Sequence, residues 1–592
     1  MPSAIVIGGG VGGLTAAHEL IDRGYAVTLY ESRPTIGGKA RSQPVSGTGT
    51  AGRKDLPGEH GFRFYPRFYK HVIDLMERIP RPGGGTVADS LRATTESAIA
   101  PVDDDTWFRF YRRRLDEPFA IAEALELFFQ DLDVDSGDVG LFGAKILQFF
   151  ASSDQRRLGE YEHLSWWSFL QSDDYSPKFQ RLLRAVPRTM VAMDPRRSSA
   201  RTVGTISMQL LLDFASTGVT NDRTMGGPTS EMWLAPWAAH LAARGVTIAT
   251  GATVHQLDVV AGRIAGALLV GDPTAKAADH YVLAVPIDVA HDLISPALGA
   301  LDPALERLRT AHIDDLVSWM VGIQYFLYED VALVRGHTFY PDSPWALTTI
   351  SQAQFWRDGG LFRTRYGDGQ VGGVISVDVS DWDTPGTYVP LPAKQCTPAQ
   401  VADETWRQLK AALNGTASDA AVLSDALLHS WHLDADLDYA TIPPLNRSQL
   451  LVHPPGSWAI RPEAATAVPN LVLASDYVRT HTDLATMEGA CEAGRRAANA
   501  ILDRDGSPAA RSAIWPLEEP AEFEPWKRID AALYAAGAPH LFEILGVRRA
   551  GAALEILRRA SALTGLDRLD DLLDRVRITD LVRRTLARIG ID

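Results

Sequence analysis

The feature that most constrains the fold is a glycine-rich turn near the start of the chain. The apolar run 4–7 leads into Gly8, Gly10 and Gly13, and Glu31 stands eighteen residues after Gly13, at the end of a second apolar run. Gly8 permits a tight turn, Gly10 lets the backbone approach a pyrophosphate, and Gly13 lets the next helix pack on the strand. That helix directs its first amide groups at phosphates, and Glu31 can accept from ribose hydroxyls. The pattern predicts a βαβ unit that holds a dinucleotide.

Composition narrows the classes of function. The chain has 592 residues and a formal net charge of −15, which argues against a nucleic-acid partner. Cys396 and Cys491 are the only cysteines, so a disulfide scaffold and a cysteine-rich metal site are excluded. No basic segment precedes the first strand at Ala4, and no apolar stretch is long enough to span a bilayer. We therefore expect a cytoplasmic protein of two or three domains.

The distribution of apolar runs predicts an α/β fold with two domains and an extension. Strand and helix patterns alternate in three separate segments, and a mostly helical, strongly apolar segment at 87–218 lies between the first two. A proline-rich stretch at 507–525 is typical of a linker. We predict a nucleotide-binding domain from residues 1–75, 226–312 and 451–505, an inserted substrate domain from residues 76–225 and 313–450, and a helical C-terminal extension from residues 506–592.

Three further segments indicate which dinucleotide the chain binds. They are ESRPTIGGKARS at 31–42, LASDY at 473–477 followed by LATMEGA at 484–490, and PGEHGFRFYP at 57–66. Together they resemble the FAD-binding flavoenzymes that include amine oxidases and carotenoid desaturases. The match is greatest to the plant- and cyanobacterial-type phytoene desaturases and to hydroxysqualene dehydroxylase-like enzymes. The resemblance implies a two-domain flavoprotein with a Rossmann-like FAD-binding domain.

The resemblance also implies a set of cofactor-binding residues. Lys39 or Arg41 would neutralise the pyrophosphate, and Asp476 would meet the phosphates or the ribityl chain. Val254 would offer its backbone to the adenine, although a sheet-core valine explains its side chain equally well. Met487 and Glu488 would open a helix whose first amides face the flavin N1/O2 edge. The full expected set is Gly8, Gly10, Gly13, Glu31, Ser32, Gly38, Lys39, Arg41, Phe62, Val254, Asp476, Met487 and Glu488.

Departures from the family pattern bear on the substrate. Amine oxidases of this superfamily usually have an aromatic residue before Met-Glu-Gly-Ala, but Thr486 stands here. Asp483 replaces a tyrosine of the desaturase motif, and Arg63 replaces a histidine. Arg63, Tyr65 and Asp483 are our candidates for groups beside the isoalloxazine. For Arg63, a role in the chemistry and a plain pairing with a carboxylate stay equally open.

The predicted reaction is hydride transfer between a carbon of a large apolar, isoprenoid-like substrate and flavin N5. Two alternatives stay open: a flavin amine or amino-acid oxidase that uses oxygen, and a non-redox enzyme that depends on FAD. The expected substrate is a small molecule that enters a tunnel lined by the helical insertion. In such chemistry the protein mainly positions the flavin and excludes water.

No metal site is expected. Asp131, Asp133 and Asp135 resemble a calcium loop, but Phe142 stands where a bidentate glutamate is needed. His429, His432, Asp434 and Asp436 lie close together in the sequence and could suggest a second metal site. Their alternation is more typical of a strand and the loop that follows it.

The C-terminal tail allows two interpretations. From Arg548 onward it has ten arginines and seven acidic residues. One interpretation is a packed helical cap or a surface for homo-oligomer formation, which we prefer. The other is peripheral contact with a membrane, which suits a lipid-like substrate.

Overall fold

An open parallel sheet forms the base of the molecule. The structure, a computed structural model, describes residues 1–101, 108–111, 135–215, 222–357, 359–414, 421–544 and 546. From edge to edge, the parallel sheet contains the strands Thr247–Thr250, Ala26–Glu31, Ser3–Ile7, His280–Leu283 and Leu471–Leu473. Every neighbouring pair is parallel. Strands from distant parts of the sequence therefore lie side by side, as the apolar runs predict.

Burial explains why these strands form continuous apolar runs. Val6, Val282 and Val472 in the three adjacent strands are fully buried. A parallel sheet covered on both faces has no solvated side on which polar residues could alternate. The sequence pattern and the sheet type therefore agree.

Two helices pack closely against each other on this sheet. They are Val11–Asp22, directly after the glycine turn, and Met487–Arg504 near the end of the described chain. A Cβ atom added at Gly494 would lie 2.5 Å from the carbonyl oxygen of Gly12. A Cβ atom at Gly12 would overlap the carbonyl oxygen of Ala474. Glycine at both positions therefore permits backbone-to-backbone approach between the first and last parts of the fold.

A second, mixed sheet lies beyond the parallel one. Its strands, in order, are Leu428–Leu433, Val321–Leu327, Gly373–Val379, Thr348–Ser351, Gly336–Phe339, Glu96–Ile99 and Phe108–Tyr111. The helix Pro398–Asn414 covers one face, where the Tyr325 hydroxyl donates to the Ala402 carbonyl at 2.7 Å. Side chains alternate along each strand, so the opposite face is free to line a cavity.

A helical layer follows, but it starts later than the sequence predicts. The helices are Ser136–Ala151, Asp154–Gly159, Trp166–Leu170, Pro177–Val191 and Ala200–Ala215. The prediction of a mostly helical segment from residue 87 is wrong for Leu91–Thr94, Glu96–Ile99 and Phe108–Tyr111, because these form strands. Leu91–Thr94 pairs with Asp222–Met225, and Glu96–Ile99 pairs with Gly336–Phe339. Such pairing partners are distant in sequence, so local patterns do not reveal them. The apolar run 119–129 lies outside the described residues.

Short elements connect these layers. The helices among them are His71–Glu77, Ala235–Ala243, Ile287–Leu293, Pro296–Leu301, Pro303–Arg309 and Phe362–Arg365. The strand pairs and small sheets comprise Ser42–Val45 with Leu56–Glu59, Phe64–Tyr65 with Asp222–Met225, Val317–Ser318 with Leu450–Leu451, Leu437–Asp438 with Leu445–Asn446, and the antiparallel set Val254–Val260, Arg263–Leu269 and Asp272–Lys276.

The C-terminal extension packs on the helical layer. It contains the helices Glu524–Ala535 and Leu541–Ile544. Buried Asp530 accepts from the Ser153 amide at 2.8 Å and from Arg156 Nε at 2.7 Å. These hydrogen bonds hold the extension against the helical layer. The tail from Arg548 lies outside the described residues, so its two interpretations stay predictions. Among the residues that the structure describes, no helix has the length and apolar character needed to cross a membrane.

We predict that Gly494→Ala destabilises the protein although alanine is the better helix former. The new methyl group would press on the Gly12 carbonyl, and such overpacking costs about 1–3 kcal/mol. Gly140→Ala is the matched control, because Gly140 also lies in a helix and a Cβ there meets nothing within 4 Å. The control should leave stability unchanged or raise it by up to about 1 kcal/mol. Denaturant unfolding of both variants measures the difference, and equal stabilities would refute the packing argument.

Candidate active site

A large cavity connects the parallel sheet to the mixed sheet. Its volume is about 880 Å³. At one end it is lined by the glycine turn, by Glu31 and by the start of the helix Met487–Arg504. At the other end it is lined by Phe339, Thr348 and Asp378 of the mixed sheet. A cofactor bound at the first end would therefore share one cavity with anything bound at the second.

The glycines of the turn divide into two roles. A Cβ at Gly8 would overlap the Ala284 carbonyl, and one at Gly13 would overlap the Gly8 carbonyl. Both residues are therefore required by the protein's own packing, and Gly8 also has a φ of 105°. By contrast, a Cβ at Gly10 would have no protein neighbour nearer than the Cα of Gly38, at 3.9 Å. That Cβ would project into the open cavity, so Gly10 fits a position that faces a bound pyrophosphate.

The ribose and phosphate candidates border the same end of the cavity. Glu31 accepts from the Gly9 amide at 2.7 Å and from the Arg33 amide at 2.8 Å, which holds its carboxylate at the end of its strand. Lys39 Nζ lies 3.9 Å from a carboxylate oxygen of Asp476, and both side chains line the cavity. Ser32 and Gly38 line it as well. An acid for ribose and a cation for pyrophosphate are thus both present, so these residues fit a dinucleotide.

The helix Met487–Arg504 begins at the cavity. Thr486 caps it by accepting from the Gly489 amide at 3.1 Å, and Met487 lines the cavity. Glu488 points elsewhere: it accepts from the amides of His71 and Val72 at 2.8 and 2.9 Å and contacts His71 Nδ1 at 2.7 Å. Its carboxylate therefore holds the start of the helix His71–Glu77, and the structure gives Glu488 no direct place in the cofactor space.

Arg63 lies at the junction between the two ends of the cavity. Its Nη1 donates to the Gly61 carbonyl at 2.8 Å, and its Nη2 donates to the Lys39 carbonyl at 2.7 Å. Glu59 is 3.8 Å away, so the guanidinium has a carboxylate neighbour as well. Burial raises the pKa of Glu59, and the charge of Arg63 opposes that shift. Arg63 and Phe62 both line the cavity.

Besides Gly13 and Glu488, four predicted site residues lie outside the cavity lining. Tyr65 is fully buried, with its ring 6.3 Å from that of Trp233, because its strand turns it into the core. Arg41 binds Asp436 at 2.5 Å. Val254 is buried in the core, and its neighbour Thr253 borders the cavity instead.

The fourth, Asp483, forms a buried ion-pair cluster. It accepts from Arg201 Nη2 and Thr202 Oγ1, both at 2.6 Å, and also pairs with Arg461. Burial opposes ionisation, but Arg461 and Arg201 outweigh it and hold the pKa of Asp483 at about 2. We therefore no longer place Asp483 beside the isoalloxazine; it joins the helix Ala200–Ala215 to the segment before Met487.

The sequence prediction missed Asp378, which the structure places inside the cavity. Asp378 lies on the strand Gly373–Val379 and is 5% exposed. Burial raises its pKa to about 7, although Arg63 and the Phe62 amide oppose the shift. The available signal was the run VISVDV, in which the polar residues Ser376 and Asp378 alternate with apolar ones. His337 and Phe339, which line the cavity from the neighbouring part of the mixed sheet, were also missed.

A cluster of acidic residues beside the cavity is neutralised by the protein. His60, Asp434 and Asp436 place ligand-type atoms within 4.8 Å of one another. His60 pairs with Asp434, and Arg33 and Arg41 pair with Asp436. Each carboxylate of the cluster therefore has a partner within the protein. Of the predicted calcium-like acids, Asp131 and Asp133 lie outside the described residues, and Asp135 caps a helix by accepting from the Gly137 amide at 2.6 Å.

We predict that Gly10→Val removes the dinucleotide and leaves the fold intact. The valine side chain would occupy the open space in which the pyrophosphate is expected, and no protein atom near Gly10 needs to move. Absorbance of the purified variant measures bound cofactor, and heat release with mass analysis identifies the cofactor in the wild type. The control is the melting temperature of both proteins after cofactor removal, which should agree. A variant that retains normal cofactor content would contradict the assignment of Gly10.

Comparison with known proteins identifies the family. A family model described as flavin containing amine oxidoreductase matches residues 11–502. A carotenoid phi-ring synthase of Streptomyces griseus is 27% identical over 520 residues, covering 85% of this chain and 88% of that protein. A zeta-carotene desaturase of Synechocystis is 24% identical over 531 residues, covering 84% and 96%.

A solved structure supports the fold. Cyclohexylamine oxidase from Brevibacterium oxydans has a TM-score of 0.55 and 14% sequence identity, covering 85% of this chain and 99% of that chain. Such low identity carries information about the fold alone, which is the α/β two-domain architecture of FAD-dependent oxidoreductases. The family match confirms the predicted FAD cofactor. The chain therefore belongs to the flavin-containing amine oxidoreductase family and is an FAD-dependent oxidoreductase.

Proposed function

We propose that this desaturase-type oxidoreductase acts on a large apolar isoprenoid of the carotenoid class. The observation that carries the proposal is the cavity, which continues from the cofactor end into a chamber with a mostly apolar and aromatic lining. We call this part the aromatic chamber, and its lining comprises Phe62, Phe64, Phe68, Tyr69, Ile206, Leu210, Met320, His337 and Phe339.

The aromatic chamber suits an unsaturated hydrocarbon better than a polar substrate. The His337 ring lies 4.1 Å from that of Phe64 and 5.0 Å from that of Phe62, so the rings form a continuous wall. Apolar walls of this kind bind by excluding water and offer few directional polar contacts. The relatives named for carotenoid phi-ring synthesis and zeta-carotene desaturation support the same substrate class.

Amine oxidation is the alternative, and one observation weighs against it. Thr486 stands where amine oxidases usually have an aromatic residue, and it caps a helix here.

The residues of this chain would hold the cofactor and shape its surroundings. When bound, FAD supplies the two-electron acceptor for the substrate. The glycine turn, Lys39 and the start of the helix Met487–Arg504 would bind its phosphates and its flavin edge. Arg63, held by two carbonyls, would keep a positive charge at the boundary between cofactor and substrate. The aromatic chamber would exclude water from the reacting carbons.

We also propose the division into a nucleotide-binding domain from residues 1–75, 226–312 and 451–505 and a substrate domain from residues 76–225 and 313–450. The two sheets support it, since one carries the glycine turn and the other closes the aromatic chamber. Peripheral membrane contact follows from the proposed substrate, because such a molecule partitions into lipid. Homo-oligomer formation stays a prediction.

We predict that isoprenoids bleach the flavin without oxygen and that amines do not. Transfer of a hydride to the flavin removes its visible absorbance. Loss of absorbance after a compound is added therefore shows that this compound reduces the flavin. The panel contains carotenoid precursors dispersed in detergent, alkylamines, amino acids and a detergent blank. Bleaching by an amine, with hydrogen peroxide released in air, would replace our proposal with the oxidase alternative. A flavin that no compound bleaches would favour a non-redox enzyme.

We further predict that Arg63→Ala keeps FAD bound but slows its reduction by substrate. The guanidinium favours negative charge on the reduced flavin, and loss of one such electrostatic contact typically costs about 10²–10³-fold in rate. Arg63→Lys should restore the rate only in part, because an ammonium group lacks the planar fork that spans the two carbonyls. Rapid-mixing spectroscopy measures the rate.

A melting curve for each Arg63 variant provides the control. If Arg63 only holds the segment 59–66 through Glu59 and the two carbonyls, Arg63→Ala should melt early and still reduce its flavin at the normal rate. That combination would rule out the catalytic role.

A further inference from the structure

Asp378 is a buried carboxylate that faces the aromatic chamber. It lines the cavity together with Thr348, the residue opposite it on the neighbouring strand. Its neighbours in sequence, Val377 and Val379, point to the other face and join the apolar core there. The strand thus turns one charged group toward the substrate space, where a plain structural strand would have an apolar residue.

The segment that carries Arg63 lies directly over Asp378. A Cβ added at Gly61 would lie 2.6 Å from Asp378 Oδ1, so only glycine fits between them. The Gly322 amide donates to the His60 carbonyl at 2.7 Å and holds this segment against the mixed sheet. Within the described residues, Asp378 Oδ1 has no hydrogen-bond partner. Oδ1 is packed under Gly61, so a molecule in the chamber meets the carboxylate over its remaining exposed surface.

We propose that Asp378 is the general base of the desaturation, a role that rests on the proposed function. Forming a carbon–carbon double bond breaks two C–H bonds on adjacent carbons. One hydrogen would leave as hydride, with two electrons, to FAD, the acceptor when it is bound. The other would leave as a proton to the Asp378 carboxylate, and the electron pair of that bond would form the new double bond. The neutral carboxyl group then returns its proton to solvent.

The surroundings of Asp378 suit this exchange. As hydride leaves, positive charge develops on the substrate carbon, and both a carboxylate and aromatic faces attract such charge. The charged and titratable groups around Asp378 are Arg63 on the overlying segment, Asp434 and His60 in the adjacent ion-pair cluster, and His337 on the same sheet. Burial raises the pKa of Asp378 to about 7, so the group can both accept and release a proton near neutral pH.

The first test needs no substrate and follows stability against pH. The pKa of Asp378 is about 7 in the folded protein, whereas the pKa of a free aspartate is about 3.9. The folded state therefore holds an extra proton between these values, and the wild type loses stability as pH rises from about 4 to 7. In Asp378→Asn that loss is absent. The melting temperature of the variant minus that of the wild type should increase from pH 5 to pH 7 and stay constant above.

Asp483→Asn is the matched control for this test. Burial opposes ionisation of Asp483, but Arg461 and Arg201 outweigh it and lower its pKa to about 2. Its ionised form therefore stabilises the fold above about pH 4, and this contribution is lost only as pH falls toward 2. The control should melt earlier than the wild type by a constant amount between pH 5 and 8. A pH-independent difference for Asp378→Asn as well would overturn the assignment of an ionising carboxyl group at Asp378.

The second test measures anaerobic flavin reduction by an isoprenoid that bleaches the wild type. The rate should rise with pH and level off above about 7, since only the ionised carboxylate accepts a proton. Asp378→Asn should be slower by about 10²–10⁴-fold and lose this rise. Asp378→Glu should recover part of the rate. If Asp378→Asn does not fold, the wild-type profile decides, and a rate independent of pH overturns the proposal.

The outcomes separate this proposal from the proposed function. If the isoprenoid bleaches the wild type and Asp378→Asn at equal rates, Asp378 is not the base and the desaturase function stands. If only amines bleach the wild type, the desaturase function falls and this role falls with it.

Discussion

The close approach of two backbones at Gly12 and Gly494 is the constraint on which the rest of the molecule depends. It brings the helix after the glycine turn against the helix Met487–Arg504, so both helix starts point at one cavity. Buried Glu19 strengthens the junction through Arg23, Arg78 and Arg495. Burial opposes ionisation of Glu19, but these cations outweigh it and lower its pKa. Burying such an ion-pair network costs free energy, because charged groups are removed from water. Its main effect is therefore to fix one arrangement of the helices.

The segment 59–64 borders that shared cavity. It lies against the mixed sheet through the Gly322 amide and carries Arg63 over Asp378. A guanidinium and a carboxylate whose pKa is raised by burial thus meet at the boundary between the cofactor end and the aromatic chamber. Opposed electrostatic environments of this kind are how proteins keep one group charged and let another exchange protons near neutral pH.

Sequence reasoning worked where neighbours in sequence decide the structure. The glycine turn, the strand that ends at Glu31 and the helix start at Met487 are all local patterns, and each lies where the motifs predict. It did not reveal the main partners of Arg41, Tyr65 and Asp483, which come from residues far away in the chain. Asp483 is held by Arg201 and Arg461, and Arg41 by Asp436. A motif identifies a residue type at a position, but it does not say which partner neutralises its charge.

The sequence by itself determined the α/β fold class, the FAD cofactor and the family, because backbone turns and apolar periodicity are set by local residue types. Only the tertiary structure decided that Asp378 faces the cavity and that Glu488 holds the helix His71–Glu77. The same holds for the strands Leu91–Thr94 and Glu96–Ile99, which exist because distant strands offer them hydrogen-bond partners. The physical reason is common to all three. Burial, charge pairing and strand pairing depend on which segments meet in space, and that is a property of the whole chain.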